Sequence, residues 1–408
     1  MKRRSFYVAT AIAAGIAGTG VIACATDVDA LYEAPDASAP VPEPVVDASA
    51  PESDASDAEP CADCELFPKS CTPDAFCPAG LFDPNTLEGG DGFFPIATTI
   101  NSIAARGPND LWVAGTLGRV ARFDGTSWTI TSVGTDEAMQ LLWLFDSGEV
   151  IFGKSILRLF MKGLDAPSGA TVTALQEGWS GVSLRPAQYS SYRTVNLVTS
   201  LSTAPGAQWT WISMWSTPAT GLSRVRRLPD GTFTIEPYGP STIFSNSKFI
   251  TGVHGHSPDV VWAVGEMGIA FRMTGADGAT PTMNSRDDVF DSLSTNQLNG
   301  VWAPSDSDAW AVGAGTIAHF TVGSHAAELV RDIPADVNLR AVSGTSSSDI
   351  WAVGDEAVVY HYDGQAWSRV KVAGLGARRP DLSAVHAIAP GKVWIGGKGI
   401  LLSLGGGA

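Results

Sequence analysis

The sequence predicts an all-β protein, and more specifically a β-propeller of seven four-stranded blades. Two observations carry this prediction: a short motif recurs along most of the chain, and its spacing is close to the length of one four-stranded unit. The clearest copy is DIWAVG at 349–354. Related copies contain Trp112, Trp262, Trp310 and Trp394.

The segment 339–370 shows how one copy forms one blade. Residues 339–342 are mostly apolar and predict strand a, which a polar turn cluster follows. Residues 350–353 are apolar at consecutive positions, as expected for a strand b that neighbouring blades cover on both faces. Residues 357–362 are rich in valine and tyrosine and predict strand c. Asp363-Gly364 predicts a hairpin turn, and residues 367–370 complete the blade as strand d.

The spacing of the copies predicts the number of blades. The tryptophans at 262, 310, 351 and 394 are 48, 41 and 43 residues apart, and the interval from Trp112 to Trp262 has room for two more units. One is a degenerate copy at 149–153, and the other starts at Trp209–Trp215 and includes the Asp230-Gly231 turn. Seven units over 95–408 give about 45 residues each, whereas six would need about 52 and eight about 39. Six or eight blades remain alternatives.

The last copy has strands at 382–388, 393–396 and 400–404 but no fourth strand. The apolar run 93–97 precedes the first copy, and we expect it to supply that strand. Such a clasp joins the ends of the ring and leaves only short protected edges. The stretch 164–208 has no clear motif, and we interpret it as an irregular elaboration of blades two and three.

The N-terminal part predicts an exported, tethered protein. Lys2, Arg3 and Arg4 precede the apolar run 7–23, a pattern typical of an export signal over 1–23. Residues 24–60 carry ten acidic and no basic side chains among Pro, Ala and Ser, which predicts an extended, disordered stalk. The whole chain has a net charge of −16, which disfavours nucleic acid as a partner.

A small cysteine-containing module is predicted at 61–92, before the propeller at 93–408. Cys61, Cys64, Cys71 and Cys77 form an even, closely spaced set, which in an exported protein predicts two disulfides. The sequence does not choose among the three connectivities. Zinc ligation and redox catalysis are alternatives, since Cys-x-x-Cys occurs in both kinds of site, but the second pair has a different spacing. We expect no metal and no cofactor.

Several segments resemble known families. The repeats resemble propeller repeats of exported proteins of myxobacteria, and more distantly tectonin and BNR-type repeats, which implies the fold but no catalytic residue. Residues 3–6 resemble a twin-arginine signal, and residues 21–24 resemble a bacterial lipobox. The lipobox resemblance implies a lipid on Cys24 and, with Ala25 next, location at the outer membrane. A plainly cleaved signal and an uncleaved short anchor are the alternatives.

The motif residues are interpreted first as structural. The repeated aspartates, such as Asp349, are expected to accept backbone N–H groups of the turn before strand b. The tryptophans are expected to fill the space between blades, and the glycines to permit the b–c turn.

Function is therefore sought at repeat positions that vary. Two sets are candidates: the residue after the turn glycine, and the end of strand a, where His254 and His386 could approach the channel. The candidate binding residues are His254, Glu266, Trp302, Ser343, Asp355, His386 and Lys398. Local hydrogen bonding is the competing interpretation for the histidines, and His254 with His256 gives too few ligands for a metal.

Two functions remain. The first is a surface lipoprotein, held on the membrane by its lipid, whose propeller is a non-catalytic binding or scaffold module for an unknown protein or envelope glycan. The second is a polysaccharide hydrolase or lyase that uses carboxylates such as Glu266 and Asp355. The chain contains no nucleophile elbow, P-loop, zinc-protease motif or Rossmann fingerprint, which favours the first.

Overall fold

The computed structural model describes residues 63–406, except for Asp91 and the segments 185–196, 216–220, 239–248, 284–288, 291–292 and 294–296. Within these residues the chain forms seven antiparallel sheets. The first strands of neighbouring sheets contact one another in a closed ring, from β2 (Ile100–Gly107) to β26 (Leu382–Ala389) and back. Seven blades are thus confirmed. No helix in the described part of the chain is long and apolar enough to span a membrane.

Most blades consist of four strands that pair in chain order from the axis outward. The closing strand is β1 (Phe76–Pro78). Blade 1 contains β2, β3 (Asp110–Gly115), β4 (Arg119–Phe123) and β5 (Trp128–Ser132). Blade 2 contains β6 (Leu141–Phe145), β7 (Gly148–Phe152), β8 (Arg158–Lys162), β9 (Thr171–Ala174) and β10 (Ser180–Ser183). Blade 3 contains β11 (Leu197–Ser202), β12 (Thr210–Trp215), β13 (Leu222–Arg227) and β14 (Phe233–Tyr238).

The second half of the ring follows the same plan. Blade 4 shows three strands among the described residues, β15 (Ile250–His254), β16 (Val260–Gly265) and β17 (Ala270–Thr274). Blade 5 contains β18 (Leu298–Ser305), β19 (Asp308–Gly313), β20 (Thr316–Thr321) and β21 (Glu328–Leu329). Blade 6 contains β22 (Leu339–Ser346), β23 (Asp349–Gly354), β24 (Val359–Tyr362) and β25 (Trp367–Arg369). Blade 7 contains β26, β27 (Lys392–Gly397) and β28 (Ile400–Leu404) with β1 outside them.

The strand that closes the ring is N-terminal, as expected, but it is not the segment 93–97. β1 pairs with β28, with Phe76 opposite Leu404 and Pro78 opposite Leu402. The expected strand contains Pro95, which has no N–H for the ladder. Its neighbour Phe94 is fully buried and donates its N–H to the Leu81 carbonyl. The cysteine-containing segment therefore contributes a strand to the propeller.

The stretch 164–208 is more regular than expected. It contains β9 and β10, which extend blade 2 to five strands in the order β6-β7-β8-β10-β9, and it also contains β11 of blade 3. The irregular interpretation was wrong for these residues, because strands without the repeated motif were not recognised as strands.

The core lies in layers between neighbouring blades. Each motif tryptophan is less than 10 % exposed, as predicted: Trp112, Trp262, Trp310, Trp351 and Trp394. Trp351 of blade 6, for example, packs in one cluster with Leu382 and Val393 of blade 7, and lies edge-on to Phe76 at 5.4 Å between ring centroids. A tryptophan at this position buries a large apolar area against the next blade.

The motif glycines have a different role from the expected one. Gly354 ends strand b with an extended φ of −160°, a conformation that any residue adopts. At Gly115 a Cβ would lie 2.5 Å from the Thr99 carbonyl oxygen. In the blades that carry the motif, glycine is therefore needed because the chain entering the blade passes close to the end of strand b. The positive φ of the b–c turn falls on residues after the motif glycine, such as Met267 at 56° in blade 4 and Gly315 at 58° in blade 5.

A disulfide joins Cys71 and Cys77, with their Cα atoms 5.8 Å apart. Cys64 is also disulfide-bonded, whereas Cys61 and Cys24 lie outside the described residues, as do the predicted signal and stalk. The 71–77 bond removes two of the four thiolates that a zinc site would need. Among the described residues, no group of three or more His, Cys, Asp or Glu side chains could hold a metal ion.

Candidate functional site

Two cavities follow each other along the propeller axis. We call the face that carries the b–c turns the upper face, and the face that carries the a–b turns the lower face. The upper opening has a volume of about 470 Å³ and is lined by residues near the start of strand a in several blades. The lower channel, of about 420 Å³, is lined by the later residues of strand a in all seven blades.

A polar residue lies at an equivalent position near the start of strand a in every blade: second or third in the strand in six blades, and just before it in blade 2. The seven residues are Asn101, Gln140, Thr199, Thr251, Asn299, Arg340 and Ser383. Five of them donate a side-chain hydrogen bond to a carbonyl oxygen at or just before the start of strand a in the next blade. Asn299 Nδ2, for instance, lies 2.7 Å from the Leu339 oxygen. These bonds link blade to blade around the upper opening.

Arg340 of blade 6 departs from this ring. Its guanidinium donates to Asp355 and lies 3.6 Å from the carboxylate of Asp381, which directly precedes strand a of blade 7. Asn338 Nδ2 also donates to Asp355, at 3.0 Å. The hydrogen bond to Asp355 raises the pKa of Arg340. The candidate Asp355 is therefore engaged by two neighbours on the upper face.

The candidates at the end of strand a all line the lower channel: His254, Trp302, Ser343 and His386. Two of them also join neighbouring blades. His254 Nδ1 accepts the Ala303 N–H at 3.1 Å, and Ser343 Oγ accepts the Ala387 N–H at 3.1 Å. Since Ala303 donates, His254 is neutral with its proton on Nε2. Local hydrogen bonding thus accounts for His254 and Ser343.

Burial lowers the pKa of both channel histidines to about 4. For His254 the neighbouring His256 lowers it further. His254 lies beside Trp302, with their ring centroids 5.9 Å apart. The channel is therefore lined by neutral imidazoles and an indole, rather than by charged groups.

The other b–c candidates lie on separate blades. Glu266 of blade 4 accepts the Phe249 N–H at 3.3 Å, and blade 5 separates it from Asp355 of blade 6. Lys398 of blade 7 is placed by a backbone bond to the Asp381 oxygen. The carboxylates named for the hydrolase are thus each bonded locally on different blades.

Sequence reasoning missed Trp215. The strand register places Met214 of blade 3 where other blades have the motif glycine, so Trp215 occupies the same repeat position as Glu266 and Asp355. Its indole is 46 % exposed and lines the upper opening. It contacts Phe249 at 5.1 Å between ring centroids. The signal was hidden because blade 3 lacks the D-x-W motif that aligns the other copies.

No family model and no curated protein matches the chain. Solved structures do. The chain is a seven-bladed β-propeller. This propeller is similar to YCF48 bound to a D1 peptide, with 15 % identity and a TM-score of 0.52 over 75 % of this chain and 91 % of that one. YCF48 from Cyanidioschyzon merolae is 17 % identical, with a TM-score of 0.53 over 76 % of this chain and 96 % of that one. The WD40 propeller domain of Doa1 is 12 % identical, with a TM-score of 0.50 over 82 % of this chain and 96 % of that one.

Proposed function

We propose that this propeller is a non-catalytic binding module that holds an extended segment of a partner protein across its upper opening. The observation that carries the proposal is the half-exposed Trp215 at the rim of a cavity of about 470 Å³. Large aromatic side chains presented beside a cavity are typical anchors of protein interfaces, where a few such residues dominate the binding energy.

The remaining lining of the opening suits a peptide backbone. It includes amide and hydroxyl side chains, among them Gln297, Asn299 and Thr199, which can both donate and accept hydrogen bonds. Among the described residues of the lining the charged one is Arg340, which is already paired with Asp355. A neutral, extended segment with one apolar side chain against Trp215 fits this chemistry. The similar YCF48 propeller bound to a D1 peptide supports a peptide as ligand on this fold.

The N-terminal segments suggest where the module works. We propose export by residues 1–23, lipid attachment at Cys24 and a spacer over 24–60 that holds the propeller away from the outer membrane. Several acyl chains on one cysteine give stable anchoring, whereas a single chain binds reversibly. Replacing Cys24 with Ala should abolish labelling by an alkyne fatty acid and move the protein from the membrane fraction to the soluble fraction.

The binding proposal is tested by photo-crosslinking in intact cells with the full chain. A photoreactive amino acid replaces Ala314, which lines the opening. We expect one discrete protein adduct that Trp215→Ala removes. A matched control is Leu329→Ala, which truncates a side chain 52 % exposed on the outer strand of blade 5 and should retain the adduct.

Three outcomes would count against the proposal. If the adduct persists in Trp215→Ala, the indole is not the anchor. Equal loss in both variants would indicate a general effect of truncation. An adduct that stains for carbohydrate and resists protease would identify an envelope glycan instead of a protein.

A further inference from the structure

A polar cluster recurs on the lower face, and the aspartate that begins strand b is its centre. In blade 6 Asp349 accepts hydrogen bonds from Trp351 Nε1 at 2.7 Å and from His361 Nε2 at 2.9 Å. Blade 1 repeats the cluster: Asp110 accepts from Trp112 Nε1 at 3.0 Å and from Arg122 Nε at 2.7 Å. A carboxylate thus satisfies the indole and a donor on strand c.

In blade 5 Asp308 has the same place and pairs with His319. The aspartates were expected to accept backbone N–H groups of the turn, and in these three blades their side chains instead bind the motif tryptophan, the strand c residue or both.

Blade 7 lacks the carboxylate. Lys392 stands at the aspartate position and is exposed to solvent. Ser403 stands opposite Trp394, as His361 stands opposite Trp351 in blade 6. Ser403 Oγ is buried without a hydrogen-bond partner, in a residue 3 % exposed. Within the described part of the chain, Trp394 Nε1 makes no hydrogen bond either, so two donors of the repeated cluster lack their acceptor.

A cavity of about 210 Å³ lies where that acceptor would be. We call it the blade 7 pocket; its polar lining consists of Asn109, Lys392, Trp394 and Ser403, and Phe123 forms part of its apolar wall. None of the described residues that line it is acidic. The lining thus combines hydrogen-bonding side chains with one lysine, and a buried group such as the Ser403 hydroxyl is costly to leave unpaired.

We propose that the blade 7 pocket binds a carboxylate group supplied by a ligand. Its oxygens would accept from Trp394 Nε1 and Ser403 Oγ, as Asp349 accepts from the corresponding pair in blade 6, and Lys392 would neutralise the charge. Hydrogen bonds to an ionised acceptor are the stronger kind, and an ammonium group adds attraction for the anion. The pocket is on the lower face, so it is a site separate from the upper opening.

Two sources offer the same chemistry: a free small organic acid, and an aspartate or glutamate side chain of a peptide. The probes are propionate for the first source and the blocked tripeptide acetyl-Ala-Asp-Ala-amide for the second. Propionamide and the corresponding Asn tripeptide are neutral controls of the same shape. All titrations use the full chain at constant ionic strength, because exposed charges respond to salt.

The readout is the indole N–H resonance of Trp394, assigned by its absence in Trp394→Phe. We expect a saturable change of its shift with propionate and little with propionamide. Lys392→Asp installs the carboxylate of the other blades in the chain itself. It should abolish the response to propionate, place the resonance near its ligand-saturated position, and raise the thermal midpoint.

Lys154→Asp makes the same charge change at an exposed lysine of another blade and should leave the titration unchanged. Trp215→Ala should also leave it unchanged, so failure of this proposal is distinguishable from failure of the peptide-binding proposal. Saturation by propionate alone assigns the pocket to free acids, and saturation by the Asp tripeptide as well assigns it to acidic peptides; both support the proposal. A linear response, an equal response to propionamide, or a wild-type response in Lys392→Asp overturns it and indicates a pocket that holds only water.

Discussion

Mild acid should destabilise the propeller through its two channel histidines. Burial lowers the pKa of His254 and of His386 to about 4, whereas an unfolded histidine titrates near 6.5. Between these values the unfolded chain binds more protons than the folded one, so the folded state loses stability as the pH falls. The contribution is fully present above about pH 6.5 and is lost as the pH falls toward 4.

The size of the effect follows from the shift. At pH 5.5 a histidine of the unfolded chain is about 90 % protonated, whereas a folded one with a pKa near 4 is almost neutral. Because pH 5.5 is one unit below the unfolded pKa, protonation favours the unfolded state by ~1.4 kcal/mol per histidine. Both side chains border the channel, and solvent there reduces the effect to roughly 1 kcal/mol each. We expect about 2 kcal/mol for the pair between pH 7.5 and 5.5. This range stays above the pI of about 4.7.

The assay is urea unfolding at a series of pH values, with the wild type compared with the double variant His254→Gln/His386→Gln. The free energy of unfolding of the wild type should fall by about 2 kcal/mol more than that of the variant, since carboxylate titration is common to both. The exposed His325→Gln is the control and should follow the wild type. Parallel curves for the wild type and the double variant would refute the reasoning.

Three further perturbations test the packing. Asp349→Ala leaves the Trp351 indole and the His361 and Thr345 side chains without their acceptor, so it should lower the free energy of unfolding by about 3 kcal/mol; urea unfolding measures this, and Asp349→Asn should recover part of the loss. Phe76→Ala removes a fully buried ring and should cost about 3–5 kcal/mol, with loss of protease resistance in the first strand as the second readout. Replacing both cysteines of the 71–77 disulfide with Ala should cost about 2 kcal/mol, because the loop that it closes is short; a thermal scan with and without reductant provides the comparison.

The sequence predicted the blades where the motif is intact, because apolar alternation and the D-x-W pattern act locally. Strands a to c of blades 6 and 7 lie within a few residues of their expected bounds. The closing strand was placed wrongly for a physical reason. Both 76–78 and 93–97 contain buried phenylalanines, but only long-range pairing with β28 distinguishes them, and a single sequence does not display such pairing.

The site was harder to predict than the fold. The polar residues near the start of each strand a are visible in the sequence, but their side chains donate to a neighbouring blade about 40–50 residues away, so their role emerges only from the structure. Trp215 was missed because its blade lacks the motif that would have aligned it. His254 and Ser343 were recognised as varying positions, yet each accepts a backbone N–H of the next blade, so variation alone did not indicate binding.

In a repeat fold the informative residues are those that break a repeated bond. Where a side chain makes the same contact in blade after blade, it is explained by the assembly of the ring. Arg340 leaves the inter-blade ring to pair with Asp355, so its guanidinium has an acceptor. Lys392 differs: because a lysine stands where blade 6 has Asp349, the buried Ser403 hydroxyl and the Trp394 indole have no acceptor, and both line a cavity. Trp262 Nε1 of blade 4 is also buried without a partner, so an unpaired indole alone indicates nothing. Native proteins satisfy most buried polar groups, and the indication of a ligand in blade 7 is the combination of an unpaired buried hydroxyl, a lysine in place of the aspartate and a cavity that both line.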